Sequence, residues 1–270
     1  MSAAVQPRIE LNGATATVED LRLLVQTNYG HFSAMQVTDG CVRGLALHLE
    51  RIEVATRELF GTVIDREHVR SCIRHAVGAS ASALSVRINI FARRLDRNRP
   101  GDPVAADVLV TTGAPAAKPL APLRLKSFRY TRELPHIKHV GTFPLFHYRR
   151  LAQQAGYDDA VFVDADGCIS EGSIWNIGFL EHDVVLWPTA PQLTGVSLQL
   201  LQAGIARGGL ASVTRRISAA QLGSMRAAFF TNSSVPVQPV ASIDAAEFAV
   251  DPAAMDALES CYESNPLERL

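Results

Sequence analysis

One lysine and one glutamate lie in segments that suit covalent chemistry. Lys138 sits in PHIKHVGTF, between an apolar stretch and a predicted helix start. A lysine in apolar surroundings has a lowered pKa, and its neutral amine is a nucleophile that condenses with an aldehyde. Glu171 ends a predicted strand in CISEGSIWN, 33 residues later, which is enough chain for both groups to meet in one cleft. A solvent-reaching Lys138 and a surface turn at Glu171 stay open as alternatives.

Three further segments suit a phosphate group. LTGVS at 193–197 opens a predicted helix, whose unpaired N–H groups and positive dipole end attract anions. TNSS at 231–234 follows a predicted apolar strand and offers hydroxyls and backbone amides. Arg51 shares a helix face with His48, and arginine is the preferred side chain for phosphate. An ordinary helix cap, a polar loop and a solvated arginine are the respective alternatives.

Taken together, these five features match the needs of pyridoxal 5'-phosphate. The amine forms an imine with the cofactor aldehyde, and the carboxylate keeps the pyridine nitrogen protonated. The protonated ring then withdraws electrons from the bound substrate. The helix start, the polar loop and the arginine hold the phosphate, so the combination predicts an enzyme that uses this cofactor.

The elements that must position these residues are helices mixed with mostly antiparallel strands, an α+β fold. Predicted helices cover about 45–60, 66–77, 142–155 and 196–207. Leu84, Val86, Ile88 and Ile90 alternate with polar residues, which predicts a half-buried strand. Residues 113–122, rich in proline and alanine, predict a linker between a domain at 1–112 and a domain at 123–270.

Composition excludes several classes of protein. The formal net charge of −1 argues against a nucleic-acid binder that depends on bulk charge. No run of about 18 apolar residues predicts a membrane span, and the first residues lack the pattern of a signal peptide. The four cysteines form no CxxC pair, so neither a zinc site nor a disulfide scaffold is expected. We expect a cytoplasmic protein without a metal.

With these segments in place, the chain resembles the class IV aminotransferases, the fold-type IV pyridoxal phosphate family. That family includes branched-chain and D-amino acid aminotransferases and aminodeoxychorismate lyases. The segments that carry the resemblance are HLERI at 48–52, IKH at 137–139, EGSIWNIGF at 171–179, LTGVS at 193–197 and TNSSVPVQPV at 231–240. The resemblance implies a small α/β domain, a larger pseudo-barrel domain that carries the lysine, and a homodimer.

The resemblance also implies roles for individual residues. Lys138 is similar to the imine lysine, Glu171 to the partner of the pyridine nitrogen, and Arg51 to the phosphate arginine. The other phosphate contacts implied are Val196, Ser197, Asn232 and Ser233. Asn176, the asparagine after the glutamate, is interpreted as structural.

Around the substrate the sequence departs from the family. The family often has Gly-Val-Phe-Glu where this chain has Gly-His-Phe-Ser at 30–33, so Ser33 replaces a glutamate. Phe143 stands where branched-chain enzymes have a tyrosine. The residues predicted to contact substrate are His31, Phe32, Arg87 and Arg97. Simple packing of His31 and a solvated loop at 93–99 stay open as alternatives.

The function expected is transfer of an amino group between an amino acid or amine and a keto acid. An aminodeoxychorismate lyase, which eliminates pyruvate with the same cofactor, is an alternative favoured slightly by Ser33 after Phe32 and by the 231–240 segment. A relative that binds the cofactor without catalysis is a further alternative. Membrane and nucleic-acid partners are not expected.

Overall fold

The computed structural model of the chain describes residues 7–79, 83–115 and 121–270. In chain order the strands are β1 (Ile9–Leu11), β2 (Ala14–Thr15), β3 (His31–Val37), β4 (Cys41–Arg43), β5 (Leu84–Phe91), β6 (Asp107–Gly113), β7 (Leu123–Arg129), β8 (Asp159–Val163), β9 (Ile169–Gly172), β10 (Asn176–Glu181), β11 (Val184–Pro188), β12 (Ser212–Arg215), β13 (Ala227–Thr231), β14 (Gln238–Ile243), β15 (Ala246–Glu247) and β16 (Leu267–Arg269). The helices are α1 (Val18–Thr27), α2 (Leu45–Phe60), α3 (Arg66–Val77), α4 (Phe143–Gln154), α5 (Val196–Arg207) and α6 (Pro252–Glu263), with a 3-10 helix at Ala219–Ser224.

The chain divides into two compact units. The first contains the described residues up to position 115, together with Ile137–Gly141 and Pro266–Leu270. The second contains the described residues of 121–136 and Thr142–Asn265. The linker predicted at 113–122 lies partly outside the described residues, and the division into domains at 1–112 and 123–270 stays a prediction.

The first unit is a five-stranded antiparallel sheet covered by helices. Its strand order is β2-β1-β6-β5-β3. The predicted alternation in β5 is present, because Val86, Ile88 and Ile90 are fully buried in one apolar core. Apolar residues from one face of α2 and of α3, among them Ile52 and Ile73, enter the same core, as their helical spacing requires.

The second unit is built on a closed sheet, as the resemblance implied. The order β10-β13-β14-β7-β8-β9 returns to β10 through the pair Asn176 and Glu171. Its β14–β7 and β7–β8 pairs are parallel, and the other pairs around the ring are antiparallel. Ring closure brings residues from distant parts of the chain to neighbouring positions, and β11 and β12 extend the sheet from β10.

Tight packing of the closed sheet depends on a glycine. Gly178 is paired with Phe229 on the adjacent strand, and a Cβ at Gly178 would overlap the Phe229 ring. Apolar side chains from the six strands of the ring form one core, which includes Leu125, Val161, Ile169, Ile177, Phe230 and Val240. Helices α5 and α6 form a second core with Phe229 and Trp187.

Most element positions agree with the sequence patterns. Helix α3 occupies the predicted 66–77, and α5 the predicted 196–207. Helices α1 and α6 were not anticipated, and neither were the 3-10 helix and the short strands β2, β4, β12, β15 and β16. No helix of the described residues is long and apolar enough to cross a membrane.

Candidate active site

Lys138 lies in a segment that is tied to the first unit rather than to the helix that follows it. The Phe32 N–H donates to the Lys138 carbonyl at 2.9 Å, and the Val140 N–H donates to the Gly30 carbonyl at 2.9 Å. The ammonium nitrogen of Lys138 lies 4.8 Å from the centroid of the Phe32 ring. These backbone bonds place the amine against an aromatic face next to β3.

Arg51 belongs to a small group of polar side chains. We name this group the amine cluster, and its members are Ser33, His48, Arg51 and Lys138. Arg51 Nη2 donates to Ser33 Oγ at 2.6 Å, and Ser33 Oγ lies 2.7 Å from His48 Nδ1. Arg51 Nε is buried and has no hydrogen-bond partner among the described residues. The predicted helix-face pairing of His48 and Arg51 is therefore present, with α2 presenting both toward β3.

The electrostatics of the amine cluster keep its histidine neutral. Burial, followed by the positive charges of Arg51 and Lys138, lowers the pKa of His48 well below its usual 6.5. Burial also lowers the pKa of Arg51 to about 10, so its guanidinium stays charged at neutral pH. The cluster thus carries positive charge and no acidic side chain, which favours an anionic ligand.

Of the residues predicted to contact substrate, Phe32 and Arg87 lie together. The Arg87 guanidinium carbon stacks 3.5 Å from the centroid of the Phe32 ring, and Arg87 Nε donates to Asn89 Oδ1 at 2.9 Å. Phe32 therefore lies in contact range of two cations, Arg87 and Lys138.

His31 and Arg97 are placed elsewhere in the first unit. His31 is buried, with Nε2 3.0 Å from Thr56 Oγ1, and burial lowers its pKa to about 3. This geometry is that of a packed histidine, one of the alternatives raised above. Arg97 lines a polar cavity of about 590 Å³ with residues of α1 and of the 93–98 loop. The described residues that line this cavity do not include Phe32 or Lys138.

In the second unit, Glu171 is buried in an ion pair that the sequence patterns missed. Arg132 Nε donates to Glu171 Oε1 at 3.0 Å, and both side chains are less than 5% exposed. The other oxygen, Oε2, accepts from the Leu193 N–H at 3.3 Å. The Arg132 side chain and the Leu193 amide therefore fix the orientation of the Glu171 carboxylate.

Asn176 connects this carboxylate to the start of α5. It is paired with Glu171 across β9 and β10, and its Nδ2 donates to the Leu193 carbonyl at 2.7 Å and to Gln192 Oε1 at 3.0 Å. A Cβ at Gly195 would overlap Asn176 Oδ1, so the loop requires glycine there. The structural role predicted for Asn176 is thus visible as a link between strand and loop.

The start of α5 and the end of β13 hold two buried hydroxyls with no partner. Ser197 Oγ and Thr231 Oγ1 are buried without a hydrogen-bond partner among the described residues. Ser197 lies in the first turn of α5, whose N-cap residue Gly195 makes no side-chain cap. Thr231 is paired with Asn176 across β10 and β13. The second unit therefore gathers a carboxylate, a helix start and two free hydroxyls around Asn176.

The remaining predicted phosphate contacts lie at the edges of this group. Val196 is the first residue of α5 and is buried. Asn232 Oδ1 accepts from the Ser234 and Val235 amides at 2.8 and 2.9 Å, so this oxygen closes a turn. Ser233 lies inside that turn and is partly exposed.

A buried aspartate holds the loop between β9 and β10. Asp159 accepts from Ser173 Oγ at 2.6 Å and from Trp175 Nε1 at 3.0 Å, and Arg149 Nε lies 3.5 Å away. Sequence reasoning named neither Asp159 nor Arg132, because a charged residue in a polar stretch looks like a surface residue until its partner is known. Thr231 was included in the polar segment but not singled out.

The described residues contain no candidate metal site. No group of three or more His, Cys, Asp or Glu side chains able to hold a metal ion occurs within the described ranges. The first unit offers an amine and guanidinium groups, and the second offers hydroxyls and backbone amides; each set suits phosphate or carboxylate groups.

Comparison with known proteins agrees with the sequence resemblance. Residues 30–243 match the profile of the amino-transferase class IV family. A probable branched-chain-amino-acid aminotransferase of Rickettsia bellii is 28% identical over 123 residues, a match covering 43% of each protein. Its counterpart in Rickettsia felis is 30% identical over 97 residues, covering 36% of this chain and 33% of that protein. The matches thus span less than half the length of these curated relatives.

Solved structures resemble the chain over nearly its whole length. The branched-chain aminotransferase of Thermoproteus uzoniensis, solved with norvaline, has a TM-score of 0.84 at 18% identity, covering 95% of this chain and 94% of that one. The T.th. branched-chain amino acid aminotransferase with pyridoxamine 5'-phosphate has a TM-score of 0.83 at 19% identity, covering 96% and 94%. These similarities establish the fold.

Proposed function

Since this chain belongs to the class IV aminotransferase family, we propose that it transfers amino groups with pyridoxal 5'-phosphate as cofactor. The observation that carries the proposal is that three buried side-chain atoms, Arg51 Nε, Ser197 Oγ and Thr231 Oγ1, have no hydrogen-bond partner among the described residues. Buried polar groups in folded proteins normally have a partner, and a phosphate group accepts hydrogen bonds from guanidinium and hydroxyl groups alike. The residues present therefore fit this cofactor.

The side chains supply distinct functions around the cofactor. Bound pyridoxal 5'-phosphate provides an aldehyde for covalent attachment and a ring that withdraws electrons from the substrate carbon. Lys138 provides the amine for that attachment and, once free, accepts and returns a proton at the substrate carbon. Glu171 would accept a hydrogen bond from the ring nitrogen of the bound cofactor, and Arg132 orients this carboxylate.

The substrate is an amino acid or amine as donor and a keto acid as acceptor. Arg87, stacked on Phe32, is suited to a substrate carboxylate, since a guanidinium binds carboxylates with two parallel hydrogen bonds. The curated relatives are named for branched-chain amino acids, which supports testing these donors first. We also propose a homodimer, as the family resemblance implies, and a cytoplasmic location, as the scattered cysteines indicate.

The test is the visible absorbance of the purified protein. We expect a yellow protein whose absorbance shifts when an accepted donor is added, in a screen of L- and D-amino acids and R- and S-amines. Lys138→Ala is expected to abolish the absorbance of the attached cofactor. Lys126→Ala is the matched control and is expected to retain the absorbance of the attached cofactor. Lys126 lies on β7 and pairs with Asp244.

Three results would contradict the proposal in different ways. An unchanged spectrum in Lys138→Ala would exclude this lysine as the attachment point. Release of pyruvate without any keto acid would favour the lyase. A bound cofactor whose absorbance no donor shifts would favour the relative without catalysis.

A further inference from the structure

The anchoring of Arg51 differs from that of several other arginines. Arg132 is paired with Glu171, Arg149 with Asp159, and Arg216 with Asp164 and Asp166. Arg51 has no carboxylate within ion-pair distance among the described residues, although its Nε is buried. Its contacts are two neutral side chains, Ser33 and His48.

Donor and acceptor roles in this group follow from the chemistry of arginine. A guanidinium only donates, so Ser33 Oγ accepts from Arg51 Nη2 at 2.6 Å. The Ser33 hydroxyl proton is then available for His48 Nδ1, 2.7 Å away, which must be unprotonated to accept it. The chain of hydrogen bonds therefore runs from Arg51 through Ser33 to a neutral His48.

This arrangement holds the guanidinium in place without cancelling its charge. A carboxylate anchor would neutralise Arg51 before any ligand arrived, whereas a hydroxyl and a neutral imidazole do not. Ser33 is fully buried and His48 is 1% exposed, so water does not replace either contact easily. A bound anionic ligand can therefore supply the negative charge that balances Arg51.

We propose that Ser33 and His48 are positioning residues that orient Arg51 and keep its charge available for the phosphate group of the ligand. The inference rests on the proposed function for the identity of the ligand, pyridoxal 5'-phosphate.

The experiment compares two ligands that differ only by the phosphate. Apoprotein is titrated with pyridoxal 5'-phosphate and with pyridoxal, and the ratio of the two dissociation constants reports recognition of the phosphate. Ser33→Ala is expected to weaken pyridoxal 5'-phosphate binding about tenfold and to leave pyridoxal binding unchanged, since a hydrogen bond to a charged group is lost. Ser33→Cys keeps the side-chain volume with a weak acceptor and is expected to shift the ratio in the same direction.

Two further variants separate positioning from folding. Ser33→Thr retains the hydroxyl and is expected to keep the wild-type ratio. Ser85→Ala removes a hydroxyl that accepts from Gln36 on the same pair of strands, and it is expected to leave the ratio unchanged. Melting temperatures without ligand show how far each variant is destabilised, and a change in stability alone does not alter the ratio.

Each outcome decides the inference. Equal weakening of both ligands in Ser33→Ala, or an unchanged ratio in both Ser33→Ala and Ser33→Cys, would overturn it. Failure of the wild type to bind pyridoxal 5'-phosphate would refute the proposed function. In that case inorganic phosphate is the probe. A rise in melting temperature on addition of phosphate that Ser33→Ala abolishes would still support an anion-binding site at Arg51.

Discussion

At the scale of residues, the polar atoms without partners identify the chemistry better than the charged residues do. An unpartnered buried polar group costs about 1–3 kcal/mol, so such groups persist where a ligand completes them. In the part of the chain that the structure describes, the four such side-chain atoms are Arg51 Nε, Ser197 Oγ, Thr231 Oγ1 and Arg70 Nε. The first three belong to segments that the sequence patterns had already related to phosphate.

Glu171→Gln tests the buried ion pair. The variant leaves Arg132 charged and buried without its partner, which we expect to lower the free energy of unfolding by about 3 kcal/mol, measured by urea denaturation. Glu181→Gln is the matched control, because Glu181 pairs with Arg215 at the surface and its loss is expected to cost below about 1 kcal/mol. Equal losses in the two variants would contradict a special role for the buried pair.

Gly195→Ala tests the contact between Asn176 and the start of α5. The added Cβ overlaps Asn176 Oδ1, so the loop must shift, at a cost of about 1–3 kcal/mol. We expect a lower melting temperature and a smaller rise on addition of pyridoxal 5'-phosphate. Gly223→Ala, where a Cβ meets no atom within 4 Å, is expected to change neither value. A normal ligand-induced rise in Gly195→Ala would separate this loop from phosphate binding.

At the scale of elements, the chain end supports the helix that carries Arg51. Strand β16 pairs with β4, and Glu268 Oε2 accepts from the Ala46 N–H at 3.0 Å in the first turn of α2. The N-cap of α2 is Gly44, which has no side chain to cap the helix. A carboxylate from another element therefore satisfies one free N–H and opposes the positive end of the helix dipole.

Glu268→Ala is therefore expected to lower the free energy of unfolding by about 1 kcal/mol, the usual effect of losing a helix cap. Chemical denaturation measures the change. Glu247→Ala, on exposed β15, serves as the control and is expected to have no measurable effect. A wild-type stability in Glu268→Ala would mean that water caps the helix equally well.

At the scale of the whole molecule, two buried neutral histidines couple stability to pH. Burial lowers the pKa of His31 to about 3, and burial with nearby positive charge lowers the pKa of His48 well below 6.5. Below about pH 6.5 the unfolded chain binds protons at both histidines and the folded chain does not. Their contribution to stability is therefore complete above pH 6.5 and is lost progressively as the pH falls.

We expect His31 to lower the free energy of unfolding by about 1 kcal/mol as the pH falls from 6.5 to 5.5, and His48 to act in the same direction. Urea denaturation at several pH values measures the slope. His31→Gln is expected to reduce this slope by the contribution of one proton. The same slope in His31→Gln and wild type would show that His31 is protonated in the folded protein.

Sequence alone determined the types of group available and the local elements that carry them. Lys138, Glu171, Arg51 and the 193–197 segment were identified because residue type and spacing follow from local chain geometry. The helical periods of α2, α3 and α5 and the alternation in β5 were visible for the same reason. The α+β class followed from the pattern of helices and strands, and the pseudo-barrel followed from the resemblance.

Only the tertiary structure decided which of these groups have partners. The pairs Arg132 with Glu171, Ser33 with Arg51, and Ala46 with Glu268 join residues 39, 18 and 222 positions apart. The pairing of strands brings such residues together, and no local pattern encodes which distant side chain completes a hydrogen bond. The physical difference is that periodicity is a property of neighbouring residues, whereas satisfaction of a buried polar atom depends on the whole fold.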